Sequence, residues 1–68
     1  MTDISKLVGL KIRNLREKKG WSQEELAHEA GLHRAYVGHI ERGEKNIGIQ
    51  NLEKIAGTLG TTCARLLK

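Results

Sequence analysis

Apolar side chains in the first part of the chain recur at intervals of three and four. After Ile4 come Leu7, Val8, Ile12 and Leu15, which puts them on one face of a helix that Asp3 can cap and that ends at Lys19-Gly20. Ser22 with Gln23, Glu24 and Glu25 has the form of a capping box. The Ser22 hydroxyl is placed to accept from the Glu25 backbone N–H, and the Glu25 carboxylate from the Ser22 N–H. This predicts a second helix from about Gln23, with Leu26, Ala27 and Ala30 on one face. Gly31 suits the left-handed conformation that stops a helix, and Leu32 returns the chain to the core. A third helix is predicted from Arg34 to Arg42, ended by Gly43. At about 100° per residue, Val37 and Ile40 point inward with Tyr36 beside them, while Ala35, Gly38, His39 and Arg42 point outward. After the loop Glu44 to Gly48, Leu52, Ile55, Ala56 and Leu59 form a fourth amphipathic stretch closed by Gly60. Thr61 or Thr62 then caps a last short helix ending in Leu66 and Leu67.

The pattern is all-α, with five short helices and few β-branched runs. The absence of Pro and Phe, and the single Trp and Tyr, agree with helical packing. A length of 68 residues predicts one small domain, residues 1–68, with one core. Val8, Ile12, Leu15, Trp21, Leu26, Leu32, Val37, Ile40, Leu52, Ile55 and Leu59 are its expected members.

Charge narrows the partner. The formal net charge is +4, and six of the twelve Lys and Arg residues precede Gly20. This balance favours a polyanion, either nucleic acid or an acidic membrane surface, and charge by itself does not choose. The first helix, however, commits its apolar face to the core, whereas a lipid-binding helix needs that face free. Single-stranded RNA calls for stacking aromatics that are nearly lacking. One cysteine, Cys63, allows no internal disulfide and makes a cysteine-based zinc site improbable; it reads as a small apolar residue in a reducing compartment. The opening Met1 to Lys6 has no signal-peptide character and no apolar run reaches membrane length, so the chain is expected to be cytoplasmic. Catalysis finds no support. His28, His33 and His39 are five and six residues apart rather than the three or four that share a helix face, and no nucleophile, phosphate loop or carboxylate pair is evident. No metal, cofactor or small-molecule effector domain is expected.

The outward face of the third helix combines two minimal side chains, Ala35 and Gly38, with His39 and Arg42. A glycine inside a helix costs about 0.5–1 kcal/mol relative to alanine, which is understandable where something must approach closely. Helices two and three, joined by the tight turn Ala30-Gly31-Leu32-His33, have the form of a helix-turn-helix over residues 22–43.

At these residues the chain resembles a known family. The matching segments are Ile12-Arg13-x-Leu15-Arg16, Gly20 to Ala27, Ala30-Gly31-Leu32, Tyr36-Val37-x-x-Ile40-Glu41-Arg42-Gly43 and Leu52-x-x-Ile55-Ala56-x-x-Leu59-Gly60. They are similar to the helix-turn-helix domain of phage repressor, Cro and Xre-like regulators, a group that includes restriction–modification controller proteins. The resemblance implies a compact five-helix, lambda-repressor-like fold. It implies a sequence-specific regulator that binds double-stranded DNA through the major groove with the His33 to Arg42 segment.

Carried over residue by residue, the resemblance places Arg34, Ala35, Gly38 and His39 where such proteins touch base edges. His33 stands at the N-cap position, where Ser or Thr is more usual. Arg34 is suited to two hydrogen bonds with a guanine or, equally, to a phosphate; His39 is suited to donate to guanine N7 or O6, and Ala35 to meet a thymine methyl. Gln23 is implied to bond a phosphate and to hold a side chain at the start of the recognition helix. The helix N-terminus there favours negative charge. Arg42, Lys45, Asn46, Arg13 and the Tyr36 hydroxyl are the further phosphate candidates, although core packing explains Tyr36 almost as well. Arg16 and Glu41 resemble a structural salt bridge. The family implies a homodimer on an inverted repeat, with Ile47, Ile49, Leu66 and Leu67 as interface candidates; the loop isoleucines are equally able to fold onto their own core. An antitoxin-type module that binds a partner protein as well as DNA is the alternative.

Overall fold

In the computed structural model Asp3 accepts a hydrogen bond from the Ser5 backbone N–H at 2.9 Å and starts α1, Ile4–Lys18. The structure describes residues 3–67; Met1, Thr2 and Lys68, the ends of the predicted domain, lie outside the described residues. Four more helices follow: α2 (Gln23–Ala30), α3 (Arg34–Glu41), α4 (Ile49–Leu59) and α5 (Cys63–Leu67). No strand occurs among the described residues.

The local signals act as expected. Ser22 and Glu25 form the reciprocal capping box, with Glu25 N donating to Ser22 Oγ at 3.1 Å and Ser22 N donating to Glu25 Oε1 at 2.9 Å. Gly31 takes φ +71°, a conformation that costs an L side chain about 1–2 kcal/mol. It lets Leu32 N donate back to Ala27 O at 2.8 Å and turns the chain within three residues into α3. Thr62 Oγ1 accepts from Arg65 N and is thus the threonine that caps α5. His33 starts α3 without any side-chain cap bond, and α3 ends at Glu41, with Arg42 as its C-cap.

Twelve apolar residues from all five helices form the core. α2 and α3 pack side by side, α1 crosses α3, and α5 folds back onto α1 and α4. Leu15, Trp21 and Leu32, expected inside, are only partly buried, and Leu7 is 38% exposed. The apolar stripe of α1 is therefore wider than the surface α3 and α5 cover. Leu66 differs in the opposite sense. Expected as apolar interface surface, it is 1% exposed, because the face α5 lays on α1 and α4 carries Leu66 while Leu67 lies a hundred degrees round at 49% exposed.

α1 crosses α3 with direct backbone contact at a glycine. Gly9, inside α1, is buried, and a Cβ built on it falls onto the Ile40 carbonyl oxygen and lies 2.7 Å from the Glu41 carbonyl oxygen. Only hydrogen at this position lets the α1 backbone lie directly on the end of α3. The orientation of α3, and hence of the candidate site, depends on that contact.

Candidate nucleic-acid interface

α3 is held along its inner face from its middle to its C-terminal end. Val37 and Ile40 are inserted in the core, and beside them Glu41 binds the buried Arg16 of α1. Arg16 Nε donates to Glu41 Oε2 at 2.7 Å, Nη2 to Glu41 Oε1 at 2.9 Å, and Nη1 to the Trp21 carbonyl at 2.7 Å. The planar guanidinium thus joins α1, the α1–α2 turn and the last residue of α3. Its hydrogen bonds to Glu41 hold it above its ordinary value against the opposing effect of burial, so it stays charged at any working pH. No buried side-chain polar atom among the described residues lacks a partner.

Gln23 belongs to the same network. Its Nε2 donates to Glu41 Oε1 at 3.1 Å, so the amide reaches the C-terminal end of α3 rather than its start. The packing of α2 on α3 brings the Gln23 side chain beside the half of α3 that carries Gly38 and Glu41. The position of Gly38 is revised by the same packing. Helical periodicity pointed it outward, but it is buried. A Cβ there would meet Arg42 Nη1 at 3.2 Å and Gln23 Oε1 at 3.4 Å. Long side chains from either side fold over the glycine and use the space that its missing Cβ leaves.

The remaining surface of α3 is open. Arg34, Ala35, His39 and Arg42 are exposed. Arg34 makes only a loose pair with Glu24, at 3.6 Å with both side chains at least 70% exposed, which is worth little and is easily exchanged. Beyond the helix, Glu44 divides its carboxylate between two neighbours: Oε2 accepts from Arg42 Nε at 3.0 Å, and Oε1 lies 2.9 Å from His39 Nδ1. Arg42 and then His39 hold the Glu44 carboxyl below the ordinary carboxylate range. Lys45 Nζ stands 5.8 Å from the centre of the Tyr36 ring, joining the loop to the helix. The Tyr36 hydroxyl accepts from Asn51 Nδ2 at 3.1 Å, and Asn46 Oδ1 accepts from Ser5 Oγ at 2.8 Å, which leaves the hydroxyl hydrogen and the Asn46 amide hydrogens as donors. Arg13 pairs along α1 with Glu17 at 3.2 Å.

The interface candidates part company. Ile47 packs against the core, whereas Ile49, expected in the loop, is the first residue of α4 and is 80% exposed. With Ile4, Leu67 and Leu52 they line a shallow apolar groove of about 330 Å³ between the start of α1, the α3–α4 loop and the end of α5. Gly9, Glu44 and Asn51 are the participants that the sequence did not point to, and Ile4 stood there only as the start of the α1 apolar stripe. Only Gly9 carried a signal, being a glycine within a helix, where it costs stability.

No helix among the described residues is long and apolar enough to cross a membrane, and no cluster of three or more potential metal ligands is present among them. The surface is therefore a set of exposed donors and cations on one short helix and its following loop, fastened to the core by a buried ion pair.

Comparison with known proteins gives this arrangement relatives. The profile of a family described as Helix-turn-helix matches residues 12–66. A hypothetical transcription factor of Neisseria meningitidis is 45% identical over 65 residues, covering 96% of this chain and 61% of its own length, so the chain spans less than two thirds of that relative. The control protein C.BamHI of Bacillus amyloliquefaciens is 46% identical over 66 residues, covering 96% of this chain and 82% of the relative. Among solved structures, the master regulator for biofilm formation SinR in complex with DNA superposes with a TM-score of 0.86 at 39% identity, covering 90% of this chain and 98% of that one.

Proposed function

Because this chain belongs to the helix-turn-helix family of DNA-binding transcriptional regulators, we propose that it binds an inverted-repeat operator as a homodimer and regulates transcription as phage-type repressors and restriction–modification controllers do. α3 enters the major groove, whose width of about 12 Å admits one helix. Arg34, Ala35 and His39 face the base edges. Gln23, Arg42, Lys45, Asn46 and the Tyr36 hydroxyl bind the flanking phosphates, and Arg13 adds a contact once it leaves Glu17. The carrying observation is the fastening of an exposed polar helix face: Arg16, Glu41 and Gln23 hold α3 from behind while Arg34, Ala35, His39 and Arg42 stay exposed in front. Gly38 contributes by seating Arg42 and Gln23 rather than by exposing its own backbone.

The second copy sits on the groove lined by Ile4, Ile47, Ile49 and Leu67. An apolar residue that is 80% exposed at a helix start, beside others about half exposed, supports this use. Two-fold symmetry then sets the two α3 helices about one DNA turn, 34–36 Å, apart.

Fluorescence anisotropy with an inverted-repeat duplex selected from a random pool tests the reading. Arg42 and Lys45 from each of two protomers, with or without Arg13, make about four to six cationic phosphate contacts. These predict a slope of log K against log salt of about −4 to −5. Salt-independent binding, or equal affinity for scrambled duplexes, would refute it. Ile49→Asp should make the protein monomeric in sedimentation and weaken operator binding.

A further inference from the structure

The His39 ring sits between an acceptor and a donor. Glu44 Oε1 lies 2.9 Å from Nδ1, and Arg42 Nη2 lies 3.3 Å from the same nitrogen. A carboxylate offers only lone pairs, so the shorter contact is a hydrogen bond only if Nδ1 carries the proton. A bare Nδ1 would face the carboxylate lone pair to lone pair. The carboxylate is also anchored, because its other oxygen accepts from Arg42 Nε at 3.0 Å. With Nδ1 protonated both oxygens of Glu44 are matched, the longer Arg42 Nη2 contact at 3.3 Å is then not a hydrogen bond, and the neutral imidazole has a lone pair at Nε2. Among the described residues Nε2 makes no hydrogen bond, and the His39 side chain is 47% exposed.

We propose that Glu44 is a positioning residue for base recognition, which accepts the Nδ1–H of His39 and thereby makes Nε2 of the neutral ring an acceptor that selects an exocyclic amine, adenine N6 or cytosine N4. This rests on α3 entering the major groove as proposed above. It reverses the polarity expected from the sequence, in which His39 donates to guanine. Glu44 also gives an acidic residue a reason to stand beside a surface meant for a polyanion. It lies at the edge of the recognition face, five residues from the ring it sets.

Two variants separate hydrogen bonding from charge. Glu44→Gln retains an acceptor oxygen, whereas Glu44→Ala does not, and both remove the same negative charge. Nitrogen-15 spectra of the free protein, at a pH where the ring is neutral, should show the Nδ1–H tautomer of His39 in the wild type and in Glu44→Gln. In Glu44→Ala that tautomer should be lost. Selection from random duplexes should give the same consensus for wild type and Glu44→Gln, with adenine or cytosine at one major-groove position. Glu44→Ala should lose discrimination there by about 5- to 150-fold while keeping the other positions. An Nε2–H tautomer in the wild type, guanine at that position, or an unchanged consensus in Glu44→Ala would overturn the proposal alone. Failure of the wild type to select any consensus overturns the DNA reading and this proposal with it. The side chain is half exposed, so thermal melting is expected to show all three proteins folded.

Discussion

Replacing Arg16 by methionine keeps most of the apolar stem of the side chain and removes the guanidinium that faces Glu41. The Glu41 side chain is 2% exposed, and its only other partner among the described residues is the Gln23 amide at 3.1 Å. Breaking a buried pair from one side leaves a charge with little solvent and costs about 3–5 kcal/mol. A chain of 68 residues has a total stability of roughly 3–10 kcal/mol, from about 0.05–0.15 kcal/mol per residue. The single variant should therefore lose a third or more of its stability and lie near its unfolding threshold at 25 °C. Arg16→Met combined with Glu41→Leu removes the stranded charge as well, and should return to within about 1–2 kcal/mol of the wild type. Urea denaturation followed by helical circular dichroism and Trp21 fluorescence, extrapolated to water, gives both values. A loss below about 1 kcal/mol in Arg16→Met, or a double variant less stable than the single one, would refute the claim that this pair governs how α3 is fastened.

The glycines give two contrasting expectations. Gly9→Ala puts a Cβ on the Ile40 carbonyl, so α1 and α3 must separate; a loss of about 1–3 kcal/mol should lower the melting temperature by at least about 4 °C, and an unchanged melting temperature would count against the close crossing. At Gly38 the atoms met are the ends of two flexible side chains, so Gly38→Ala should leave stability unchanged or raise it by up to about 1 kcal/mol. Operator affinity should nevertheless fall, because Arg42 and Gln23 lose their seat; calorimetry and anisotropy on the same sample separate the two effects. Glu44 has a lowered carboxyl pKa through Arg42 and His39, so its contribution is present above the ordinary carboxylate range and is lost as pH falls through the lowered value. The stability difference between wild type and Glu44→Gln should accordingly shrink as pH falls from neutral through the carboxylate range, as measured by thermal unfolding, and a difference that grows on acidification would contradict the pairing.

Much of the fold was legible because its signals are local. The Asp3 cap, the Ser22–Glu25 box and the glycine at position 31 each act within a few residues, and the three- and four-residue spacing of Val8, Ile12, Val37, Ile40, Ile55 and Leu59 reports which face of each helix is apolar. These features determine the helices, their ends and a shared core without reference to anything distant. The same periodicity turned Ala35, His39 and Arg42 outward, and they are exposed; Arg34 entered as a candidate reader only through the family resemblance.

What periodicity does not report is how far a neighbouring element reaches. It pointed Gly38 outward, but the side chains of Gln23 and Arg42 cover it and it is buried. It marked Leu66 and Leu67 alike as apolar, and only the docking of α5 on α1 and α4 made one core and the other surface. The resemblance implies that Gln23 holds a side chain at the start of α3, whereas its amide bonds Glu41 at the end, because the register between packed helices is set by side-chain interdigitation. The sequence by itself therefore determined five helices, their stops and the exposed polar stripe of α3. The tertiary structure alone decided the helix crossing at Gly9, the burial of Gly38 and the 2.9 Å approach of Glu44 Oε1 to His39 Nδ1, because each depends on distances between atoms that no local rule connects.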